Sequence, residues 1–267
     1  MLTIAVRLAL VVAALMVPCA GALAQTKSLA DMGIVLMHGK GGQPGGLIGS
    51  LAETLRGEGA AVDMPRMAWS GKQGQPDKYE MTYEEALAEV GRSIAGLRAR
   101  GARRIVVAGQ SLGANAAIGF AARHGQGLAA IVAIAPGHTP ERMRHPDIVA
   151  GVESARQMVA AGKTAAATMF SDTNQGQSLR IRATPRAYLS FFDPRGPAVM
   201  PRNAAAMPPL PFLWVIGGRD PLAAAGSGYA FDKAPKHPKS RYLEVNADHR
   251  GTPDVARGQI VSWLKSL

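Results

Sequence analysis

The sequence predicts an α/β fold with a mostly parallel sheet of about six strands flanked by helices. The first observation is an alternation of short apolar runs with longer helix-like stretches, which is typical of βαβ units. The second is that these runs are apolar throughout, as expected for strands that helices cover on both faces. The expected strands are Gly33–Met37, Ala61–Met64, Ile105–Ala108, Ala129–Ala135, Phe212–Ile216 and Tyr242–Val245.

The helices expected between these strands cover Leu47–Arg56, Tyr83–Arg100 and Leu112–His124. A last helix is expected over Pro253–Leu267, with Thr252 as its N-cap and proline as a favourable first residue. Its apolar residues form one face at helical spacing. They are Ala256, Ile260, Trp263, Leu264 and Leu267.

The stretch from Thr139 to Pro211 breaks the alternation. It begins with a charged, helix-like segment at 146–161, turns polar through 171–178 and ends rich in proline. A long segment of this kind inside a sheet domain is typical of an excursion at the rim. We therefore expect residues 25–267 to form a single domain in which 139–211 are a cap or rim excursion, either a lid over a site or padding.

The first 24 residues have the pattern of a secretory signal peptide. Arg7 gives a positive amino-terminal region, Leu8–Val17 is an unbroken apolar run, and Ala22-Leu23-Ala24 is a small-residue cleavage site before Gln25. The run is too short to span a membrane, and no later run approaches the roughly 18 residues that a span needs. We expect a periplasmic or secreted protein without an integral membrane segment after cleavage.

Composition restricts the chemistry further. The net charge is +11, but the cations are scattered and aromatic residues make up only 5%, which argues against nucleic acid as a partner. The single cysteine, Cys19, follows Pro18 where a lipoprotein signal needs a small residue, and cleavage would remove it. No cysteine nucleophile or disulfide is then expected. No histidines have metal-ligand spacing, so neither a metal nor another cofactor is expected.

The clearest motif is Gly109-Gln110-Ser111-Leu112-Gly113, which directly follows an expected strand and opens an expected helix. A serine on such a tight turn stands clear of the sheet, and glycine on either side relieves the crowding that the turn creates. The Leu112 N–H and the helix dipole would then stabilise a negative charge that develops on a substrate oxygen. The pattern alone is a weak indication of a nucleophile, so the motifs elsewhere in the chain decide whether Ser111 is one.

Two further polar residues follow strands. Asp220 comes after Phe212–Ile216 and Gly217-Gly218, where an acid would orient an imidazole, although a turn aspartate before proline is the ordinary alternative. His249 follows Tyr242–Val245 and is placed to act as a general base. Near the amino end, a His-Gly pair after the first strand is expected to turn the chain so that a backbone N–H, that of Lys40, faces the serine.

The motifs VLMHGKGG, VVAGQSLGANAA, VIGGRDP and ADHRGTP, in this order, resemble those of the α/β-hydrolase superfamily of serine esterases and lipases over residues 31–267. The resemblance implies that Ser111 is the nucleophile, His249 the base and Asp220 the acid, with the Lys40 and Leu112 N–H groups forming the oxyanion hole. Only about eight residues separate the expected cleavage site from the first strand, so the first two strands of the family pattern are expected to be missing. Asp193 and Asp248 remain alternatives for the acid.

These residues predict a carboxylic ester hydrolase whose partner is a small-molecule ester. A ligand-binding protein on a hydrolase fold, a peptidase and an acyltransferase remain alternatives. The glycine-rich loop after Met37 fits neither a dinucleotide nor a phosphate loop, because Pro44 and Gly41 stand where the patterns need other residues. Trp69, His138, Met143 and the excursion are expected to wall the pocket, and the oligomeric state is left open.

Overall fold

The computed structural model describes residues 28–267, so the signal peptide expected at 1–24 lies outside the described residues. The strands in this part of the chain are β1 (Met32–Met37), β2 (Ala61–Asp63), β3 (Gly71–Lys72), β4 (Gln75–Pro76), β5 (Arg104–Ser111), β6 (Ala130–Pro136), β7 (Thr168–Asn174), β8 (Gln177–Ala183), β9 (Phe212–Gly217) and β10 (Arg241–Val245). The helices are α1 (Gly49–Gly57), α2 (Tyr83–Ala99), α3 (Leu112–His124), α4 (Pro146–Ala160), α5 (Pro185–Phe192), α6 (Met200–Ala206), α7 (Thr252–Val255) and α8 (Arg257–Lys265).

The predicted parallel sheet is confirmed. Six strands pair in parallel in the order β10-β9-β6-β5-β1-β2, and all six expected strands are present with ends shifted by a few residues at most. The largest shift is in β5, which runs on to Ser111. The sheet therefore carries its candidate serine at the last residue of a central strand, at the edge where ligand sites of parallel sheets lie.

Both faces of the sheet are buried along its central strands β1, β5, β6 and β9, which explains why these strands are apolar without alternation. Successive residues of β1 point to opposite faces, so Val35 packs into the same cluster as α2 and α3, whereas Leu36 packs with α1 and α8. Helix α2 begins with a capping box between Thr82 and Glu85, in which each side chain accepts the other's backbone N–H.

Helix α3 covers the predicted range, but the last predicted helix is divided into α7 and α8 at Ala256. Thr252 is the first residue of α7 and not its side-chain cap, because its hydroxyl donates to Asp248 O at 2.6 Å. The Asp248 carboxylate accepts the Gly251 N–H at 2.7 Å instead. The turn before α7 is thus stabilised by Asp248, four residues before the expected cap.

The excursion contains α4, α5 and α6. It also contains a hairpin of β7 and β8, which is not among the strands expected from the sequence. Phe170 and Ile181 lie on its buried face, and Phe170 stacks on Tyr188 of α5 at 4.3 Å between ring centroids. The hairpin also meets the main domain, since Tyr79 N–H donates to Arg182 O.

None of the helices in residues 28–267 has the length and hydropathy needed to span a bilayer.

Candidate active site

Ser111 lies at the junction of β5 and α3 with a backbone conformation of φ 58° and ψ −119°. Residues other than glycine seldom adopt a positive φ, and holding one there costs on the order of 1–3 kcal/mol. Such strain persists only where the surrounding structure enforces it. The turn places Ser111 at the end of the sheet, in front of the first N–H groups of α3, which include that of Leu112.

Two glycines permit this turn. A Cβ atom at Gly109 would lie 2.3 Å from the carbonyl carbon of Gly113, and one at Gly113 would lie 2.5 Å from Met37 O. Both distances are far inside van der Waals contact, so neither position tolerates a side chain without movement of the backbone. The Gly-x-Ser-x-Gly pattern therefore reflects close packing of α3 against β5 and the end of β1.

Asp220 and His249 come together in the loops that follow β9 and β10. His249 Nδ1 lies 2.6 Å from Asp220 Oδ2, and both side chains are almost fully buried. Asp220 is fixed in turn by the Leu222 N–H, which donates to its Oδ1 at 2.8 Å. Because a carboxylate only accepts, this contact assigns the proton of neutral His249 to Nδ1 and leaves Nε2 as a base.

Ser111 and His249 face the same small space beside Gly137. A Cβ atom on Gly137 would lie 2.9 Å from Ser111 Oγ and 3.3 Å from His249 Cε1. A side chain here would therefore contact both groups, and glycine leaves the space between them open. The order serine, imidazole, carboxylate is the arrangement by which a base removes a proton from a hydroxyl.

The two other candidate acids have different partners. Asp193 forms an ion pair with Arg156, whose Nη2 lies 3.0 Å from its Oδ2. Asp248 accepts the backbone N–H groups of Arg250 and Gly251, and these hydrogen bonds hold its pKa below the usual value. Among the three, Asp220 is the acid that lies against the His249 ring.

The loop after β1 passes directly in front of Ser111. A Cβ atom on Gly39 would lie 3.0 Å from Ser111 Cβ, which places the His38-Gly39-Lys40 backbone against the serine turn. His38 anchors the loop, because Met67 N–H donates to its Nε2 at 3.3 Å and its Nδ1 lies 2.8 Å from Gly39 O. Burial lowers the pKa of His38, so the ring is neutral at pH 7, with its proton assigned to Nδ1.

Ser111 and His249 line a pocket of about 660 Å³. Its walls are mostly glycine backbone and polar side chains: His38, Gly39, Lys40, Gly41, Gly42, Gln43, Gly46, Leu47, Ile48, Gly71, Lys72, Gln73, Gly74, Gln110, Asn174, Gln175 and Arg250. The excursion contributes only Asn174, the last residue of β7, and Gln175, in the turn that follows it.

Solved structures with this architecture include lipolytic enzymes and esterases. A metagenome-derived lipolytic enzyme superposes with a TM-score of 0.65 at 16% identity, covering 90% of this chain and 96% of its own. The monoacylglycerol lipase of Paleococcus ferrophilus gives 0.64 at 22% identity, with the same coverages. The chain has the α/β-hydrolase fold. A thermophilic esterase from Thermogutta terrifontis also matches, with a TM-score of 0.56, 18% identity, and 90% and 92% of the two chains covered. No protein-family model and no curated protein matches the sequence.

Three residues expected to wall the pocket of this hydrolase fold do not line it. Trp69 is fully buried and donates its Nε1–H to His38 O, and Met143 packs against the core. His138 directs Nε2 to Phe191 O at 2.8 Å, and burial together with the charge of Lys40 lowers its pKa to about 3. Trp69 therefore supports the loop after β1 from behind, and His138 is a neutral link to the excursion.

The sequence predicts a role for the backbone of Lys40 but gives no indication of the contact that its side chain makes. Lys40 Nζ lies 2.6 Å from Asp172 Oδ1 in the β7–β8 hairpin, and both side chains are buried. A lysine in a glycine-rich loop and an aspartate in a polar stretch carry no local signal of this pairing.

Within residues 28–267, no group of three or more His, Cys, Asp or Glu side chains is arranged to hold a metal ion.

Proposed function

We propose that this protein is a serine hydrolase that cleaves carboxylic esters through an acyl-enzyme intermediate on Ser111. The observation that carries the proposal is the 2.6 Å contact between His249 Nδ1 and Asp220 Oδ2, with the His249 ring and Ser111 Oγ facing the same space beside Gly137. The likeness to lipolytic enzymes and esterases supports ester hydrolysis as the reaction class.

In the first half of the reaction, His249 Nε2 takes the Ser111 hydroxyl proton as Oγ attacks the ester carbonyl carbon. The carbonyl π electrons move to oxygen, and the resulting oxyanion accepts hydrogen bonds from the Lys40 and Leu112 N–H groups. Asp220 stabilises the imidazolium ion that forms. The tetrahedral intermediate then breaks its bond to the alcohol oxygen, which leaves with the proton from His249.

In the second half, water replaces the alcohol. His249 removes a proton from water as the water oxygen attacks the acyl carbon. The second tetrahedral intermediate then breaks its bond to Ser111 Oγ, which receives the proton from His249. The carboxylic acid leaves, and the free enzyme is regenerated. The site needs no metal or other cofactor for any of these steps.

The test is hydrolysis of a short-chain 4-nitrophenyl ester by the wild-type chain and by Ser111→Ala. We expect the wild type to turn over and the variant to lose on the order of 10⁶-fold in kcat, as when the nucleophile of a triad is removed. Equal rates would refute Ser111 as the nucleophile. No turnover of esters by the wild type would favour a ligand-binding role, and turnover of amides or transfer to alcohols would favour a peptidase or an acyltransferase.

We further infer that the hydrolase is exported and acts in the periplasm or outside the cell, because residues 1–24 have the pattern of a signal peptide. Cleavage after Ala24 would give a mature chain beginning at Gln25. Mass spectrometry of the protein recovered from producing cells measures this directly. A cytoplasmic protein that retains Met1 to Ala24 would contradict the inference.

A further inference from the structure

The side chain of Lys40 leaves its loop and is buried in the excursion. Its Nζ lies 2.6 Å from Asp172 Oδ1 and also donates to Thr173 O at 3.0 Å. The exposed fractions of the two charged side chains are 4% for Lys40 and 0% for Asp172. The contact joins residues that are 132 positions apart, and it connects the loop in front of Ser111 with the β7–β8 hairpin.

Asp172 occupies a position where an apolar residue would serve packing as well. It lies on the buried face of the hairpin with Phe170 and Ile181, and the Lys40 ammonium lies 5.3 Å from the centre of the Phe192 ring. A buried ion pair seldom stabilises a protein more than apolar residues of the same size. What the pair adds is a defined position for the two chain segments, because its short contact is directional.

The segment that Lys40 holds is the one that faces the serine. Lys40 stands between Gly39 and Gly41, which offer no side chains to anchor it, and Gly39 packs against Ser111 Cβ. On the other side of the pair, Asn174 of the hairpin lines the pocket and donates to Gly74 O at 2.7 Å. The Lys40–Asp172 contact therefore links one wall of the pocket to the loop that carries the proposed oxyanion donor.

We propose that Asp172 is a positioning residue of this hydrolase: through Lys40 it holds the Lys40 backbone N–H in place for the oxyanion and fixes the hairpin wall relative to it. The inference rests on the proposed function, because only a reaction with a developing oxyanion needs this N–H. Displacement of a catalytic group by about 1 Å is enough to lower a rate by about 100-fold. The excursion thereby acts on the chemistry without contributing a side chain to it.

The test compares Asp172→Asn with a control variant, Asp193→Asn. The control removes another carboxylate of the excursion, the one that pairs with Arg156. For Asp172→Asn we expect kcat on a 4-nitrophenyl ester to fall by about 10- to 100-fold, with a change in KM of less than about threefold. The inhibition constant of phenylboronic acid should rise in parallel, since its tetrahedral adduct with Ser111 places an oxygen in the oxyanion hole. Asp193→Asn should change neither quantity.

A double variant, Lys40→Met with Asp172→Leu, separates positioning from stability. Apolar side chains of similar length keep the hairpin packed, so we expect cooperative unfolding near the wild-type temperature and a kcat still reduced by about 10-fold or more. Wild-type kcat and boronate affinity in either folded variant would overturn the inference. Unfolding of both would assign the pair to folding and overturn it too. A wild type without ester turnover would instead overturn the proposed function.

Discussion

The carboxyl edge of the sheet and the excursion at 139–211 place their important side chains in different ways. At the sheet edge, Ser111 follows β5, Asp220 follows β9 and His249 follows β10, so each position is set by the strand before it. In the excursion, Asp172 lies inside β7 and gains its partner only through a contact with Lys40, 132 residues away. The first arrangement is local in sequence and the second depends on the complete fold.

This difference explains how much the sequence could predict. The apolar strands, α3 and the glycines around Ser111 each leave a local pattern, because burial on two faces and close packing restrict residue types over a short stretch. Parallel strands then bring their carboxyl ends to one edge, and this general rule joins Ser111, Asp220 and His249 without further knowledge.

The hairpin left a weaker pattern. Its exposed face is polar except for Met169. The buried residues of the two strands are Phe170, Asp172, Ile181 and Ala183, and the carboxylate among them hides the alternation. The turn does carry a sequence signal, the glycine at position 176. Gln175 and Gly176 have φ values of 50° and 78°, and glycine is favoured in hairpin turns with two positive φ angles. The pairing of Asp172 with Lys40 has no sequence signal, because any lysine in the chain satisfies the same charge rule.

The variant expected to have the largest effect on the comparison of the two regions is Asp220→Asn. The amide no longer stabilises the His249 imidazolium and favours the wrong tautomer, so we expect kcat to fall by about 10⁴-fold. Steady-state hydrolysis of a 4-nitrophenyl ester measures it. Asp193→Asn, at one of the two other candidate acids, should retain wild-type kcat, since Asp193 contacts Arg156. The reverse result would place the acid in the excursion and remove the distinction between the two regions.

A smaller effect is expected on stability at the join of the two regions, where His138 contacts Phe191 O of α5. Burial and the charge of Lys40 lower its pKa from 6.5 to about 3 in the folded protein. Between these values the unfolded chain binds a proton that the folded chain does not, so stability is full above pH 6.5 and is lost as the pH falls. One such histidine gives a slope of at most about 1.4 kcal/mol per pH unit.

Urea unfolding of the wild type and of His138→Asn at pH 7 and pH 5 measures this slope. The variant should lose less free energy of unfolding between the two pH values than the wild type does. It should not become independent of pH, because burial also lowers the pKa of His38 and acts in the same direction. Identical slopes for the two proteins would show that His138 is not held neutral where the excursion meets the sheet.

The central claim is that Ser111 is the group that becomes acylated. Treatment with a fluorophosphonate, which reacts with activated serine hydroxyls, followed by peptide mapping by mass spectrometry tests it most directly. The account predicts one adduct per chain, on the peptide that contains Ser111, and no adduct in Ser111→Ala. An ester-hydrolysing protein whose adduct lies on another residue, or that turns over esters after Ser111 is lost, would contradict it.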